Sequence, residues 1–496
     1  MLIGLAGIVG ACTVGPDFLS PKEPEQQAYT EKNSAEHGAQ HFAMGQEIKA
    51  DWWALFHSPE LDGVVQQAIA GSPTLLQAKA TLAQAQQQTA AAEGGLYPQA
   101  NLDANAVRQR LDFAAEGIPS IPGFPQFKEF DVFSIGPSVR YDLDLWGGTR
   151  RLIEERQAQA EYQGYQLAAA YLTLTSNAVM QAVNVAAIRA ELGAAQDIIA
   201  SDEQNLKLVK GEMEAGEATL IDVESAQSQL DNDRAQIPPL RQQLSVARHG
   251  LALLVGTTPA QWSPPDFDLD KLELPAELPV SLPSQLVHQR PDILSAEAQL
   301  HAATAAVGVA TAQLYPNISL TAAYEQIAIN PNAFILPQSN AWNIGIGLAQ
   351  PLFRGGELTA QKEAAIQAVN AADAGYKQVV LQSFNQVANA LTGLQHDAEL
   401  LAAQRRALDT AQRSLKLTRD SYQGGNIGIL LVLDAQRRYQ QARVGFVRAE
   451  AQRRLDTVTL FAAMGGGWRE YQKLHEPPPP PADSDTDAIF EKLFSP

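Results

Sequence analysis

Ser134-Ile135-Gly136-Pro137-Ser138-Val139-Arg140-Tyr141-Asp142-Leu143 alternates polar and apolar residues along most of its length. A β-strand sends successive side chains to opposite faces. Ile135, Val139, Tyr141 and Leu143 therefore share one face, and Ser134, Gly136, Ser138, Arg140 and Asp142 the other. Three further runs alternate in the same way: Asn101–Ala106, Ile318–Glu325 and Trp342–Leu348. Runs of about 8–10 residues match a tilted membrane strand. One apolar face backed by a polar one is the pattern of a membrane barrel with a wet lumen. Half-buried strands of a soluble sheet alternate too, but four strands are few for a sandwich, and these come as two hairpins set apart by very long helical stretches. Four strands do not close a barrel by themselves. An open edge in hydrocarbon leaves backbone groups unpaired, so closure needs several chains.

The chain is built twice. Ser72-Pro73-Thr74-Leu75-Leu76 opens a helical stretch ending at Leu96-Tyr97-Pro98, and Arg290-Pro291-Asp292-Ile293-Leu294 opens another ending at Leu314-Tyr315-Pro316, an offset of about 218 residues. Farther on, Gly216 matches Gly425, Ala226-Gln227 matches Ala435-Gln436 and Gly256 matches Gly465, an offset of about 209. The offset drops because the first copy holds a longer loop near Asp112 to Asp131. A solenoid would show periods of about 20–50 residues, so this is one architecture used twice. Each copy reads as a helix, a hairpin and a long helix pair. Thr149 to about Glu214 and Glu357 to about Gln423 contain no proline. At 1.5 Å per residue such a helix reaches on the order of 100 Å if unbroken. Its apolar steps predict coiled-coil-like antiparallel packing. Gly216 and Gly424-Gly425 mark the reversals, and the returning helices are Leu220 to Val255, kinked at Pro238-Pro239, and Ile429 to Met464.

The domains read as a signal segment (1–11), an N-terminal segment with an equatorial helix (12–71), repeat one (72–256), an extended linker (257–289), repeat two (290–467) and a Pro-rich acidic tail (468–496) predicted to be disordered. With 36 Lys+Arg against 55 Asp+Glu, the net charge is -19 over 496 residues. No basic stripe is present to displace counterions from nucleic acid. The one cysteine, Cys12, excludes an intrachain disulfide and a thiolate zinc site. No run approaches the ~18 apolar residues of a membrane helix. Met1 to Ala11 is an apolar stretch of signal-peptide length, and Val9-Gly10-Ala11-Cys12 resembles a bacterial lipobox. That resemblance implies a covalent lipid on Cys12. Thr13, rather than Asp, follows and is compatible with outer-membrane sorting. No metalloprotease, nucleophile-elbow or phosphate-loop spacing occurs, so an enzyme is not expected, nor any metal or cofactor beyond the lipid. His37 and His41 are the one close histidine pair, with no third ligand in view.

Several motifs now carry a family resemblance. Cys12-Thr13-Val14-Gly15-Pro16-Asp17-Phe18 resembles a mature lipoprotein start, and Asp51-Trp52-Trp53-Ala54-Leu55-Phe56 a first helix. Ile237-Pro238-Pro239-Leu240, His288-Gln289-Arg290-Pro291-Asp292-Ile293 and Asp434-Ala435-Gln436 follow in order. Together, over about residues 12–468, they resemble the outer-membrane efflux proteins of the TolC family, within it the lipid-anchored branch that includes OprM and NodT. The resemblance implies a mainly α fold with a β-barrel contribution. It implies a homotrimer whose four strands per chain make a twelve-stranded barrel, continued by an α-helical tunnel into the periplasm. It implies passive export, with a periplasmic adaptor and an inner-membrane pump of the RND type as partners and the helix-pair tips as the adaptor contact.

The gate is expected at those tips, where rings on a three-fold axis close a pore by repulsion or dewetting. The resemblance assigns it Leu430, as an apolar constriction, and Asp434, as an acidic ring, with Asp222 and Tyr422 at matching positions. Asp434 as a locally paired carboxylate and Leu430 as packing remain open. Met213 stands where copy two has Tyr422, and Ile427 where some members carry a basic lock residue. Trp146 and Phe353 sit either in an aromatic girdle or at the barrel–tunnel junction. Trp52 and Trp53 are expected to pack in the equatorial belt rather than anchor at an interface. The acidic balance fits a lumen that favours cations. Two other classes stay open: a lipid-tethered periplasmic coiled-coil scaffold or adaptor, and the duct of a protein secretion system.

Overall fold

The computed structural model describes residues 13–469, apart from 23, 25, 27, 30–39, 47, 113–126 and 334–335. Cys12, His37 and residues 470–496 of the Pro-rich tail lie outside the described residues, whereas Trp468, read as the start of the tail, is buried and its ring nitrogen donates to the Gln289 carbonyl at 2.6 Å. In chain order the elements are β1 (His41–Met44), a 3-10 turn (Trp52–Phe56), α1 (Pro59–Gly71), α2 (Pro73–Glu93), β2 (Gln99–Asp112), β3 (Phe127–Leu143), α3 (Gly148–Glu214), α4 (Leu220–Arg234), α5 (Ile237–Val255), β4 (Glu277–Val280), α6 (Pro283–Gln289), α7 (Pro291–Ala312), β5 (Asn317–Ala328), β6 (Asn340–Ala349), α8 (Glu357–Gln423) and α9 (Ile429–Ala463). The chain divides into two units. One holds residues up to 21, 81–164 and 295–377; the other holds 22–80, 165–294 and those from 378 onward.

The first unit contains one four-stranded antiparallel sheet in the order β2-β3-β5-β6. Its strands run past the alternating cores read from sequence, to 14, 17, 12 and 10 residues. The extra length in β2 and β3 mixes charged residues such as Arg108, Arg110, Lys128 and Glu129 with apolar ones such as Val107, Phe130 and Val132, which blurs the alternation. β2 and β6 are the two edges.

The second unit holds the principal core. Trp52, Phe56, Leu61, Val65 and Phe461 are wholly buried, with Trp53 nearly so. Trp52 stacks on Phe461 with ring centroids 5.0 Å apart and meets Trp53 edge-on at 6.0 Å. The expected packing of the two tryptophans is thus what the geometry shows. The stretch around them is a 3-10 turn, not a helix: His57 turns left-handed at φ 51°, and Ser58 caps the new helix α1, accepting from Leu61 N at 3.3 Å.

Two expectations are corrected here. The returning segment of copy one is not a kinked helix but two helices, separated at Ala235 and Gln236. Pro238 and Pro239 stand in the first turn of α5, where the backbone N–H groups have no intrahelical acceptor to lose. The segment 257–289 is not merely extended. It carries a 3-10 turn at Leu269–Lys271, the strand β4 and the helix α6. β4 pairs in parallel with β1, from His41 opposite Glu277 to Met44 opposite Val280, so His41 lies on a strand, not on a helix that would bring an i,i+4 partner alongside. Among the described residues no group of histidine, cysteine and carboxylates could hold a metal ion.

Truncating Trp52 should cost about 3–5 kcal/mol, the usual range for a buried aromatic. The Trp52 ring nitrogen is buried without a hydrogen-bond partner. Trp52→Phe, which removes that N–H and keeps most of the ring, should therefore lower the thermal midpoint much less than Trp52→Ala.

Candidate functional site

Cross-strand register sorts the sheet into two faces. Leu102 faces Pro137, Ala104 faces Ile135 and Ala106 faces Phe133; Val139 faces Ala322, Tyr141 faces Leu320 and Leu143 faces Ile318; Leu320, Ala322 and Tyr324 face Ile346, Ile344 and Trp342. Residues paired in this way lie on the same side of a sheet. One side is therefore apolar across all four strands, broken by Gln326 and Asn340 level with Ile135. On the edge strand β6 its side chains Trp342, Ile344, Ile346 and Leu348 are 67–78% exposed. An apolar face of this extent needs a covering of its own kind. The apolar band ends where Arg108 pairs Asp131 in register, with ion pairs to Glu129 at 3.5 Å and Asp131 at 4.0 Å. From Phe133 to Leu143 the band spans about 34 Å along the strand, or about 25 Å once a barrel tilt of roughly 40° is applied.

The opposite side is polar. Asn101 faces Ser138, Gln99 faces Arg140, and Arg140 faces Thr321. Arg140 is clamped by Asp142 through three hydrogen bonds of 2.9–3.2 Å, which cancels both charges. Asp103 accepts from Ser138 Oγ at 2.6 Å. Asp103 pairs with Gly136, and Glu325 lies beside Gly136 on the neighbouring strand, so both carboxylates belong to one row. A side chain at Gly136 would collide with the Tyr324 carbonyl. Among the described residues no ion pair balances Asp103 or Glu325.

Just beyond β3 the chain start is fastened down. Val14 N donates to the Trp146 carbonyl at 3.0 Å, Arg151 Nε donates to the Val14 carbonyl at 3.2 Å, and Arg151 pairs with Asp17 at 2.6 Å and Glu154 at 2.7 Å. Phe18 stacks on His301 at 4.4 Å. Trp146 is half-buried: its ring nitrogen donates to the Pro316 carbonyl at 2.8 Å, and it stacks on Tyr315 at 4.8 Å. It joins the end of β3 to the start of β5 rather than facing outward. Phe353 is 89% exposed, and so free for a contact that Trp146 is not.

In the second unit the tips are built differently in the two copies. α3 ends at Gly216, which is left-handed at φ 80°, and α8 at Gly425, at φ 72°; Gly424 carries no positive φ. Thr219 and Asp222 form a reciprocal cap on α4: Asp222 N donates to Thr219 Oγ1 at 3.3 Å, and Thr219 N donates to Asp222 Oδ2 at 2.9 Å. The Thr219 hydroxyl and amide hold the Asp222 carboxyl below the usual carboxylate range. Asp222 is thus a capping residue. In copy two Gly428 takes the cap position and supplies no side chain. Leu430 and Leu431 are each 56% exposed. Asp434 does not stand as a free carboxylate. Arg437 reaches it at 2.6 Å and Arg438 at 2.8 Å, and these arginines hold its pKa down. One acid between two cations does not make an acidic patch. The Tyr422 hydroxyl donates to Glu212, tying the end of α8 to the end of α3; burial, then that carboxylate, push the phenol up.

Sequence reasoning did not find the buried polar cluster behind the tips, where Asp202, Asp233 and Gln436 are all at most 2% exposed. They sit singly in polar helix stretches, and no spacing distinguishes them from solvated residues. The strap from Thr13 to Asp17 was visible only as part of a motif.

Comparison with known proteins follows from this geometry. The profile of the family described as outer membrane efflux protein matches residues 64–257 and 282–466. The chain is 32% identical over 474 residues to the pyoverdine export outer membrane protein OpmQ of Pseudomonas aeruginosa, covering 94% of this chain and 96% of that one. It is 25% identical over 465 residues to the probable outer membrane lipoprotein SilC of Salmonella typhimurium, covering 93% and 97%. Among solved structures it is similar to the outer-membrane channel OprN, with a TM-score of 0.83 at 26% identity over 92% of this chain and all of that one.

Proposed function

The chain belongs to the outer membrane efflux protein family, and on that premise we propose that three copies close one barrel, with the apolar face of each sheet in lipid and the polar face lining an export duct. The two-faced sheet with both edges open is the observation that carries this reading. Hydrocarbon does not tolerate unpaired strand edges, so β6 of one copy pairs with β2 of the next. Two copies would give eight strands, a barrel about filled by its own side chains, whereas twelve leave a lumen. A lipid on Cys12, one residue before the fastened Thr13, would enter the membrane beside the inner end of the apolar face. The lipoprotein relative supports such an anchor. As the outer-membrane component of an efflux system, the protein receives its cargo from a periplasmic adaptor and an inner-membrane pump. We assign the adaptor to the tips around Gly216, Gly424 and Gly425, the pump to the RND type, and Phe353 to the barrel–tunnel junction. At the tips Leu430, apolar and exposed, forms the constriction. Tyr422 holds the two pairs together, Asp222 caps α4, and Asp434 is kept neutralised by its arginines.

Purification tests the reading directly. The mature chain should need detergent and run as a heat-resistant trimer. A Cys12→Ser chain that is a soluble monomer without detergent would instead make it a tethered scaffold. Leu430→Ala should raise the conductance of the purified trimer in planar bilayers, and an unchanged current would remove Leu430 from the constriction. The charge bookkeeping of the polar face gives a third outcome. Arg140 and Asp142 cancel, leaving Asp103 and Glu325 from each copy as an acidic band. Asp103→Asn with Glu325→Gln should lower cation-over-anion selectivity, read as a reversal potential moved toward zero in a salt gradient.

A further inference from the structure

The buried cluster behind the tips joins four helices. Asn205 from α3 donates to Gln436 Oε1 on α9 at 2.7 Å, Arg419 from α8 reaches the same oxygen at 3.3 Å and also donates to Ser201 on α3, and Gln436 Nε2 donates to Asp202 on α3. Asp233 on α4 accepts from Gln440 on α9 at 2.9 Å, from Gln229 at 2.7 Å and from Gln236 at 3.0 Å. Gln436 and Gln440, one turn apart on α9, hold Asp202 and Asp233 in one cluster, 1% and 2% exposed. Two ionised carboxylates in such a place repel, and one is expected to hold a proton. Burial first, then Asp233, push Asp202 from 3.8 up to about 8. Two atoms of the cluster are buried without a hydrogen-bond partner: Asp202 Oδ2 and Arg419 Nε. They are an acceptor and a donor of opposite charge.

We propose that a proton held on Asp202 and donated to Asp233 latches α4 to α3 behind the tips, and that its loss to water turns Asp202 to Arg419 and frees α4, so that the duct mouth is held shut in acid and loosened in alkali. This rests on the duct reading above. The groups facing the pair are Asp202 itself on α3, Asp233 on α4, Arg419 on α8, and the amides of Gln436 and Gln440 on α9, with Gln236 from the gap after α4. Glu203 is turned outward to Arg234 at 2.6 Å, and Asp197 to Arg443 at 2.7 Å. The direction follows from the raised value. A carboxyl that binds its proton more tightly when folded stabilises the latched state fully below the ordinary carboxylate range, and that contribution is lost as pH rises to about 8. A second acid contact, Asp397 with Asp456, lies between α8 and α9; burial and Asp456 push Asp397 up to about 7. Its neighbouring Arg453 is engaged with Gln40 at 2.9 Å.

The test uses the full-length trimer in planar bilayers at pH 6 and pH 9, beside infrared spectra of the same protein. Wild type should open several-fold more often at pH 9, within the limit of about tenfold per pH unit for one linked proton. Asp202→Asn keeps size, hydrogen bonding and the single negative charge of the protonated pair. It should stay at the low pH 6 level at both values and lack the part of the protonated-carboxyl absorption lost between them that Asp397→Asn retains. An unchanged pH response in Asp202→Asn, with the response lost in Asp397→Asn, overturns the proposal. So does a wild-type band that does not titrate. A trimer that never conducts, yet whose band titrates and loses that part in Asp202→Asn, overturns the duct reading while leaving the proton on Asp202 standing.

Discussion

Everything in the first unit depends on where unpaired backbone groups are allowed to be. A sheet with two free edges and one apolar face has no stable place in water, because the face must be covered, and none alone in lipid, because the edges must be paired. Side-chain chemistry does not remove this conflict. In the proposed barrel neighbouring copies do, and β6, with its apolar residues 67–78% exposed, shows how little of the conflict a single chain resolves. The alternation of the sequence sets which residues form the apolar face. The proposed number of copies follows from how wide a lumen must be to pass cargo.

Much of this was legible because its physics is periodic. Period-two alternation located all four strands of the sheet, and the absence of proline located both 67-residue helices. What escaped was aperiodic. β1 and β4 have four residues each and, in Pro279, an imino acid that argues against a strand; only their mutual pairing makes them one. The proline pair at Pro238 was read as damage to a helix, when it is the start of one. At the tips, resemblance did not report the partners. Asp434 was expected to project charge, yet Arg437 and Arg438, three and four residues on, sit on the same helix face and neutralise it. Asp202 and Asp233 lie far apart in sequence, and their meeting depends on the packing of four helices, which no local pattern reports.

The duplication also shows how one architecture is put to unequal use. Both copies share the order of helix, hairpin and helix pair, and both turn through a left-handed glycine, Gly216 or Gly425. Their caps differ. Thr219 and Asp222 satisfy the first turn of α4 reciprocally, while α9 starts from Gly428, with no side chain to offer.

The interruption at Ala235 and Gln236 carries a mechanical meaning. α9 runs 35 residues without a break, and its counterpart is divided into pieces of 15 and 19. A continuous helix transmits bending along its whole length; a divided one articulates where it is cut. On that ground copy two would serve as a stiff post, and copy one as a leaf on a pivot at Ala235 and Gln236. An iris made of three such subunits would have three moving blades rather than six.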